Sequence, residues 1–277
     1  MGWVATGARI AVPAFVLSSM IGMGLGLTLG GVVAPLRNAG RVLLALVASF
    51  VVMPAAALGL AKLLRLDPQF GVGLLLLGAA GGAPFLPKLV QVARGDLPFS
   101  VGLMVLLMVV TVGYLPVVLP ILLPGVSVDP LAIAKSLVVL MLIPLALSLL
   151  VRARTASFAG RIKPFFDRLS NLSLIALITL LTVANFQNVI GVFGTGAILA
   201  GLLFLGAGLG AGWLLGGPAR EGRTVLALGT AQRNIAAALV VAGQSFSDPK
   251  VVVMVVVVAI VGLILLFPVS RALAGRA

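Results

Sequence analysis

The sequence GTAQRN at residues 229–234 and the sequence GGAPFLPK at residues 81–88 each interrupt a long apolar stretch. Glycine lets a helix unwind, and each proline lacks a backbone N–H and leaves carbonyls of the preceding turn without a partner. Inside a bilayer, such backbone persists only where it is buried in protein or lines a wet cavity. One interruption alone is typical of a kinked packing helix. Two interruptions at corresponding places favour a functional crossing of two broken helices.

The composition places the chain in a membrane. Of its 277 residues, 61% are hydrophobic and 9% are charged, and the mean hydropathy is +1.28. A bilayer core about 30 Å thick requires about 20 apolar residues per helix. We therefore predict one all-α integral membrane domain, residues 1–277, with about nine transmembrane helices. The predicted spans lie near residues 10–29, 40–64, 70–94, 98–123, 130–152, 168–187, 195–216, 223–246 and 249–273.

The predicted spans divide into two halves that resemble each other. Residues 10–123 hold four spans and residues 130–273 hold five, and in each half the next-to-last span is interrupted. The interruptions fall in the third and the eighth spans, which are an odd number of membrane crossings apart and therefore have opposite orientations, as inverted repeats require. The plan is that of a repeat of five spans that lacks its first helix. Many secondary transporters have this organisation, with the transport site at the repeat interface.

The basic residues predict the orientation. Twelve fall in connections on one side of the membrane and five on the other, with Lys88 and Arg233 inside the spans. The positive-inside rule then places the N-terminus outside and the C-terminus in the cytoplasm of a cell whose inner (plasma) membrane holds the chain. Because the net charge of +13 is scattered among connections, no nucleic-acid partner is predicted. The twelve are Arg37, Arg41, Arg94, Arg152, Arg154, Arg161, Lys163, Arg168, Arg220, Arg223, Arg271 and Arg276, and the five are Arg9, Lys62, Arg65, Lys135 and Lys250.

The absence of cysteine and histidine, and the positions of the carboxylates, limit the reactions and substrates that the chain can handle. The chain has no Cys and no His, and its six carboxylates fall in or beside predicted connections. Enzymatic catalysis is not expected, and an ordinary cation exchanger is disfavoured because it needs a carboxylate at depth. Two cations within the spans favour an anion instead. We predict a small organic anion as the substrate, with the lipid bilayer as the other partner.

The candidate substrate-binding residues lie in the two interruptions. A charge near the middle of a bilayer is costly and marks a functional site by default. Lys88 also has a structural explanation, since its long side chain could reach towards the cytoplasmic end at Arg94. The polar residues of the second interruption could equally cap a broken helix. The full predicted set is Lys88, Arg233, Gln232, Asn234, Thr230, Pro84 and Pro87.

The ordered motifs resemble those of the bile acid:sodium symporter family. They are MIGMGLGLT at residues 20–28, FVVMP at 50–54, the Gly81-Gly82 pair that leads to ARGD at 93–96, and GTAQRN at 229–234. The likeness covers nearly the whole chain. It implies a panel domain and a core domain, two broken helices that cross, alternating access, and sodium-driven transport of organic anions.

The departures from the family pattern fall on its sodium ligands. The positions that hold those ligands in the family are occupied here by Ser49, Leu86, Pro87, Leu228 and Gln232, of which Gln232 alone matches the family pattern. Leucine and proline side chains supply no oxygen ligand for a cation. We therefore predict that the sodium sites are lost or altered and that Lys88 and Arg233 stand in for the missing cations as fixed charges. No cofactor and no metal ligand set are predicted, and sodium stays open as a coupling ion.

The leading hypothesis is a sodium-independent secondary transporter of organic anions. Three alternatives remain open. A proton-coupled transporter would use a desolvated Lys88, because burial lowers the pKa of a lysine. A sodium-coupled symporter would hold its ion with relocated ligands. A membrane receptor would keep the fold without transport. The sequence does not determine the substrate identity, the transport direction or the oligomeric state.

Overall fold

The structure is a computed structural model and describes residues 2–123, 129–184, 187 and 190–274. Regular structure in these residues is entirely helical, so the prediction of an all-α membrane protein is confirmed. Within the described residues, seven helices are long and apolar enough to cross a membrane, and Ile10–Gly26 and Pro68–Ala79 are shorter apolar helices. The count of nine spans and the inverted repeat stay predictions. The seven are Ala39–Leu63, Leu97–Leu122, Pro130–Arg154, Ala156–Val183, Ala197–Leu215, Arg220–Ser245 and Pro249–Ala274.

We number the helices in chain order. Two of the long spans contain a π-helical turn, at Ala48–Val52 between α3 and α4 and at Val138–Leu142 between α8 and α9, and a 3-10 turn at Ala34–Arg37 precedes α3. The helices are α1 Gly2–Gly26, α2 Leu29–Val33, α3 Ala39–Val47, α4 Met53–Leu63, α5 Pro68–Ala79, α6 Leu86–Val92, α7 Leu97–Leu122, α8 Pro130–Leu137, α9 Ile143–Arg154, α10 Ala156–Ala184, α11 Ala197–Leu215, α12 Arg220–Ala231, α13 Ile235–Ser245 and α14 Pro249–Ala274.

Both interruptions are helix breaks, and they meet. α5 ends at Ala79 and α6 begins at Leu86, while α12 ends at Ala231 and α13 begins at Ile235. The backbone N–H of Asn234 donates a hydrogen bond of 2.9 Å to the carbonyl of Ala80, which joins the second break to the first. The two helix breaks are therefore in direct contact, and we call the place where they meet the crossover.

The helix α10 begins earlier than predicted. We expected a cytoplasmic connection from Arg152 to Arg168, but α9 ends at Arg154 and α10 begins at Ala156, so that Thr155 alone separates them. The charged residues in this region are thus helical, and Pro164 lies inside the helix. That expectation was wrong because a cluster of charges next to a proline resembles a loop in sequence, whereas here it occupies the polar end of a long helix.

The helices around the crossover pack in two groups. α1 lies along α10 and α9, while α11 lies along α12 and α14 lies along α5. A Cβ atom at Gly212 of α11 would come within 2.2 Å of the Leu226 carbonyl in α12, so only glycine permits this approach. Lys250 binds Asp67 at 2.5 Å and ties the start of α14 to the start of α5. The hydrogen bond from Lys250 lowers the pKa of the Asp67 carboxyl.

Candidate transport site

Arg233 occupies the centre of the crossover, where it is 3% exposed. Its Nε donates to the carbonyl of Leu77 at 2.8 Å. Its Nη2 donates to the carbonyls of Gly78 at 2.7 Å and Ser49 at 3.1 Å. Its Nη1 donates to the carbonyl of Thr230 at 3.2 Å. One guanidinium therefore holds four backbone carbonyls from three separate parts of the chain.

These carbonyls form an electronegative pocket. Leu77 and Gly78 lie in the last turn of α5 and Thr230 lies in the last turn of α12, where helix carbonyls are short of intrahelical donors. The Leu77 carbonyl also accepts from the N–H of Ala80 at 3.1 Å. The helix dipole adds partial negative charge at both ends. A buried cation is costly unless it is hydrogen-bonded, and Arg233 uses four of its five guanidinium N–H groups in this way. The hydrogen bonds of its guanidinium thus go to the protein backbone. This geometry favours a role for Arg233 in holding the crossover together.

Asn234 caps α13 and links the two breaks. Its side chain is 0% exposed. Its Oδ1 accepts a hydrogen bond of 3.0 Å from the backbone N–H of Ala237, as an N-cap does. Its Nδ2 donates to the carbonyl of Gly82 at 3.1 Å. Both ends of the amide are used within the protein in this structure, so Asn234 has a structural role at the crossover.

Thr111 of α7 secures the first break, and we did not predict this from the sequence. Its Oγ1 accepts from the N–H of Gly81 at 2.9 Å and donates to the carbonyl of the same residue at 3.0 Å. The next residue, Gly82, has φ +78°, and a Cβ atom there would lie 2.2 Å from the Met108 nitrogen. The hydroxyls of Thr111 and Tyr114 within the apolar sequence of α7 were the available signal, because polar groups at depth need partners.

A cavity of about 700 Å³ lies beside the crossover. It extends from Pro84, Pro87 and Gln232 at the breaks to Lys163 and Asp167 in the N-terminal part of α10. Its walls are mostly apolar, with Phe15, Phe85, Met104, Leu174 and Ile178 among the lining side chains. A concave, apolar space with a few polar groups is typical of a small-molecule site.

Lys88 lies in the wall of this cavity, and its side chain is exposed. It belongs to the first turns of α6, and no ion pair joins it to any residue that the structure describes. In this conformation the protein itself does not bury the Lys88 side chain. Lys88 is a cation that is available to a ligand in the cavity.

The structure separates the predicted site residues into two groups. Pro84, Pro87, Lys88 and Gln232 line the cavity, and part of Arg233 does as well. Thr230 and Asn234 are 1% and 0% exposed and do not line it. Substrate binding by the first group stays a prediction.

The positions of the family's sodium ligands are poor in oxygen. Leu86 and Leu228 are 1% and 0% exposed and contribute only apolar side chains. The carbonyl of Ser49 is taken by Arg233. Ser49 Oγ and Gln232 Oε1 are buried and have no hydrogen-bond partner among the described residues. The described residues also contain no group of three or more His, Cys, Asp or Glu that could hold a metal ion.

Comparisons with known proteins agree with the resemblance. The sequence model described as "Sodium Bile acid symporter family" matches residues 13–192, which include α1 to α10 from Pro13 onwards and the first break. The probable sodium/metabolite cotransporter BASS1, chloroplastic, of Arabidopsis thaliana is 32% identical over 83 residues. That match covers 30% of this chain and 21% of the length of the relative.

Proposed function

Because the chain belongs to the sodium bile acid symporter family, we propose that this membrane protein is a secondary transporter that moves a small organic anion by alternating access. The observation that carries the proposal is the exposed Lys88 in a cavity of about 700 Å³ that reaches the crossover. Its ammonium would bind the carboxylate or sulfonate of the substrate, and the apolar walls would take the hydrophobic body.

The transport proposed here is independent of sodium. The Arg233 guanidinium is bonded to four carbonyls, two of them at the end of α5 and one in the last turn of α12, and such oxygens could otherwise bind a cation. Leu86 and Leu228 supply none of the oxygens that sodium requires. In this proposal Arg233 is a covalently attached cation that keeps the crossover assembled without an ion from solution.

A second candidate is a sodium-coupled symporter with relocated ligands. The buried oxygens of Ser49 and Gln232 that lack hydrogen-bond partners within the described residues favour it, because both are of a type that binds sodium. The similar Arabidopsis protein is described as a probable sodium/metabolite cotransporter, which also favours sodium coupling. The nearby charge of Arg233 opposes it, since like charges repel.

The proposed orientation follows from the positive-inside rule. The chain would lie in an inner membrane with its N-terminus outside and its C-terminus inside. The cavity reaches Lys163 and Asp167, close to the start of α10 and to the arginines at the end of α9. On this orientation the cavity faces the cytoplasm, as expected for one of the two states of alternating access.

The test is the thermal stability of the detergent-purified protein with a panel of organic sulfonates, in sodium chloride and in choline chloride at equal ionic strength. A ligand that binds the folded state raises stability by mass action. We expect a sulfonate to stabilise the protein equally in both salts, and Lys88→Ala to abolish the effect. The matched control is Lys62→Ala, since Lys62 is an exposed lysine in α4 outside the cavity.

The possible outcomes separate the candidate functions. Stabilisation that requires sodium would support the symporter with relocated ligands. Stabilisation without any uptake by protein-containing vesicles would support the receptor alternative. If Lys62→Ala and Lys88→Ala reduced stabilisation equally, the proposed site would be wrong.

A further inference from the structure

We propose that Asp167 makes the transport cavity selective for singly charged anions, because it neutralises the second lysine in the cavity wall. This inference rests on the proposed function and adds the charge of the substrate to it.

The lysine in question is Lys163 of α10. Its Nζ forms an ion pair with Oδ2 of Asp167, one turn further along the same helix. The two side chains are 38% and 44% exposed, and both line the cavity that contains Lys88. Of the described residues that line this cavity, Asp167 alone carries a carboxylate.

The neighbouring helix α1 confines the ion pair. Gly22 and Gly26 are four residues apart in α1, as Lys163 and Asp167 are in α10. A Cβ atom at Gly22 would lie 2.7 Å from Asp167 Oδ1, and one at Gly26 would lie 2.6 Å from Lys163 Cε. The pair therefore fits against glycines on one side and the cavity on the other. An ordinary pair on a helix surface has solvent around it and freedom to separate.

Among the described residues of the cavity wall, one cation is then available to pair with an anionic ligand. Arg233 donates its hydrogen bonds to backbone carbonyls, and Lys163 is neutralised by Asp167. Lys88 is left without an acidic partner among the described residues. A substrate with one anionic group can pair with Lys88. A second anionic group would have to compete with Asp167 for Lys163 and would be repelled by its carboxylate.

The test uses 2-naphthalenesulfonate and 2,6-naphthalenedisulfonate, which share an apolar skeleton and differ by one charge that does not titrate. Their affinities for the full-length purified protein are measured from thermal stability at one ionic strength. The wild type should prefer the monosulfonate. Asp167→Asn should raise the affinity for the disulfonate, relative to that for the monosulfonate, by at least about fivefold, because Lys163 becomes free.

Three further variants test whether the change in the affinity ratio comes from the charges of the ion pair. Combining Asp167→Asn with Lys163→Gln should restore the preference of the wild type, since the pair is then removed as a whole. Lys163→Gln alone should shift the affinity ratio the opposite way, because it leaves an unpaired carboxylate in the wall. Asp129→Asn is the control, because Asp129 caps α8, does not line the cavity, and keeps its capping oxygen as asparagine.

The outcomes distinguish this inference from the proposed function. If the wild type binds the monosulfonate but the ratio is unchanged in both Asp167→Asn and Lys163→Gln, charge selection by Asp167 is wrong and the anion site stands. If the wild type and all variants bind neither sulfonate, the proposed function fails together with the inference. The affinity ratio is the decisive quantity, because a purely structural defect would weaken both ligands alike.

Discussion

Two cationic side chains that look equivalent in sequence have opposite surroundings at the crossover. Arg233 is 3% exposed and is bonded to four carbonyls, whereas Lys88 is exposed in the cavity. Both lie at helix breaks inside apolar stretches of the sequence. The difference depends on which neighbouring helix ends present carbonyls to each side chain. Arginine suits the first setting because its planar guanidinium offers several donors in fixed directions.

Replacing Arg233 tests whether its guanidinium substitutes for a cation. Arg233→Ala leaves buried carbonyls without donors, so we expect a loss of about 3 kcal/mol or more in the free energy of unfolding. The same variant should become more stable in sodium chloride than in choline chloride at equal ionic strength, because the vacated carbonyls can accept an ion. Thermal unfolding in the two salts measures both effects.

The control for this prediction is Arg37→Ala. Arg37 is an exposed arginine at the end of the 3-10 turn that precedes α3. Its replacement should change the free energy of unfolding by less than about 0.5 kcal/mol in either salt. A destabilised Arg233→Ala protein that responds identically to sodium and choline would show that the arginine is a structural link and does not replace an ion.

At the scale of helices, the first break depends on a residue in a different helix. Thr111 satisfies both backbone groups of Gly81, so Thr111→Val removes two hydrogen bonds while it keeps the shape of the side chain. We expect a loss of about 2 kcal/mol, because the N–H and the carbonyl are left buried without partners. Thr111→Ser keeps the hydroxyl and should retain most of the stability. Equal unfolding temperatures for the valine variant and the wild type would show that another group satisfies Gly81.

The sequence predicted the breaks themselves but not what holds them. Gly81, Gly82 and Pro84 fall between α5 and α6, and Pro87 lies in the first turn of α6, where proline is tolerated, so this local chemistry sufficed to indicate the first break. The partner Thr111 lies 30 residues away from Gly81, and nothing local connects the two.

The start of α10 was also missed because it depends on contacts with a distant part of the chain. Its charged turns are stabilised by packing against α1, which a reading of local composition does not include.

At the scale of the whole molecule, every cation that the proposed mechanism uses is covalently part of the protein. A symporter carries its coupling ions across the membrane with the substrate, whereas Arg233 and Lys88 return with the empty protein. Each transport cycle would then move only the charge of the substrate. With a singly charged anion, one negative charge crosses the membrane per cycle, and the membrane potential becomes the driving force.

This reasoning predicts voltage-driven transport in the absence of sodium. The protein is reconstituted into vesicles with choline in place of sodium, and valinomycin with a potassium gradient sets an inside-positive potential. A potential of 100 mV contributes about 2.3 kcal/mol per charge, which corresponds to an accumulation of 2-naphthalenesulfonate of about 50-fold. Reversing the potassium gradient should expel the anion, and Lys88→Ala should prevent accumulation. A symporter that carries two or more sodium ions per anion would instead need sodium and would be slowed by the same inside-positive potential, because it moves net positive charge inwards.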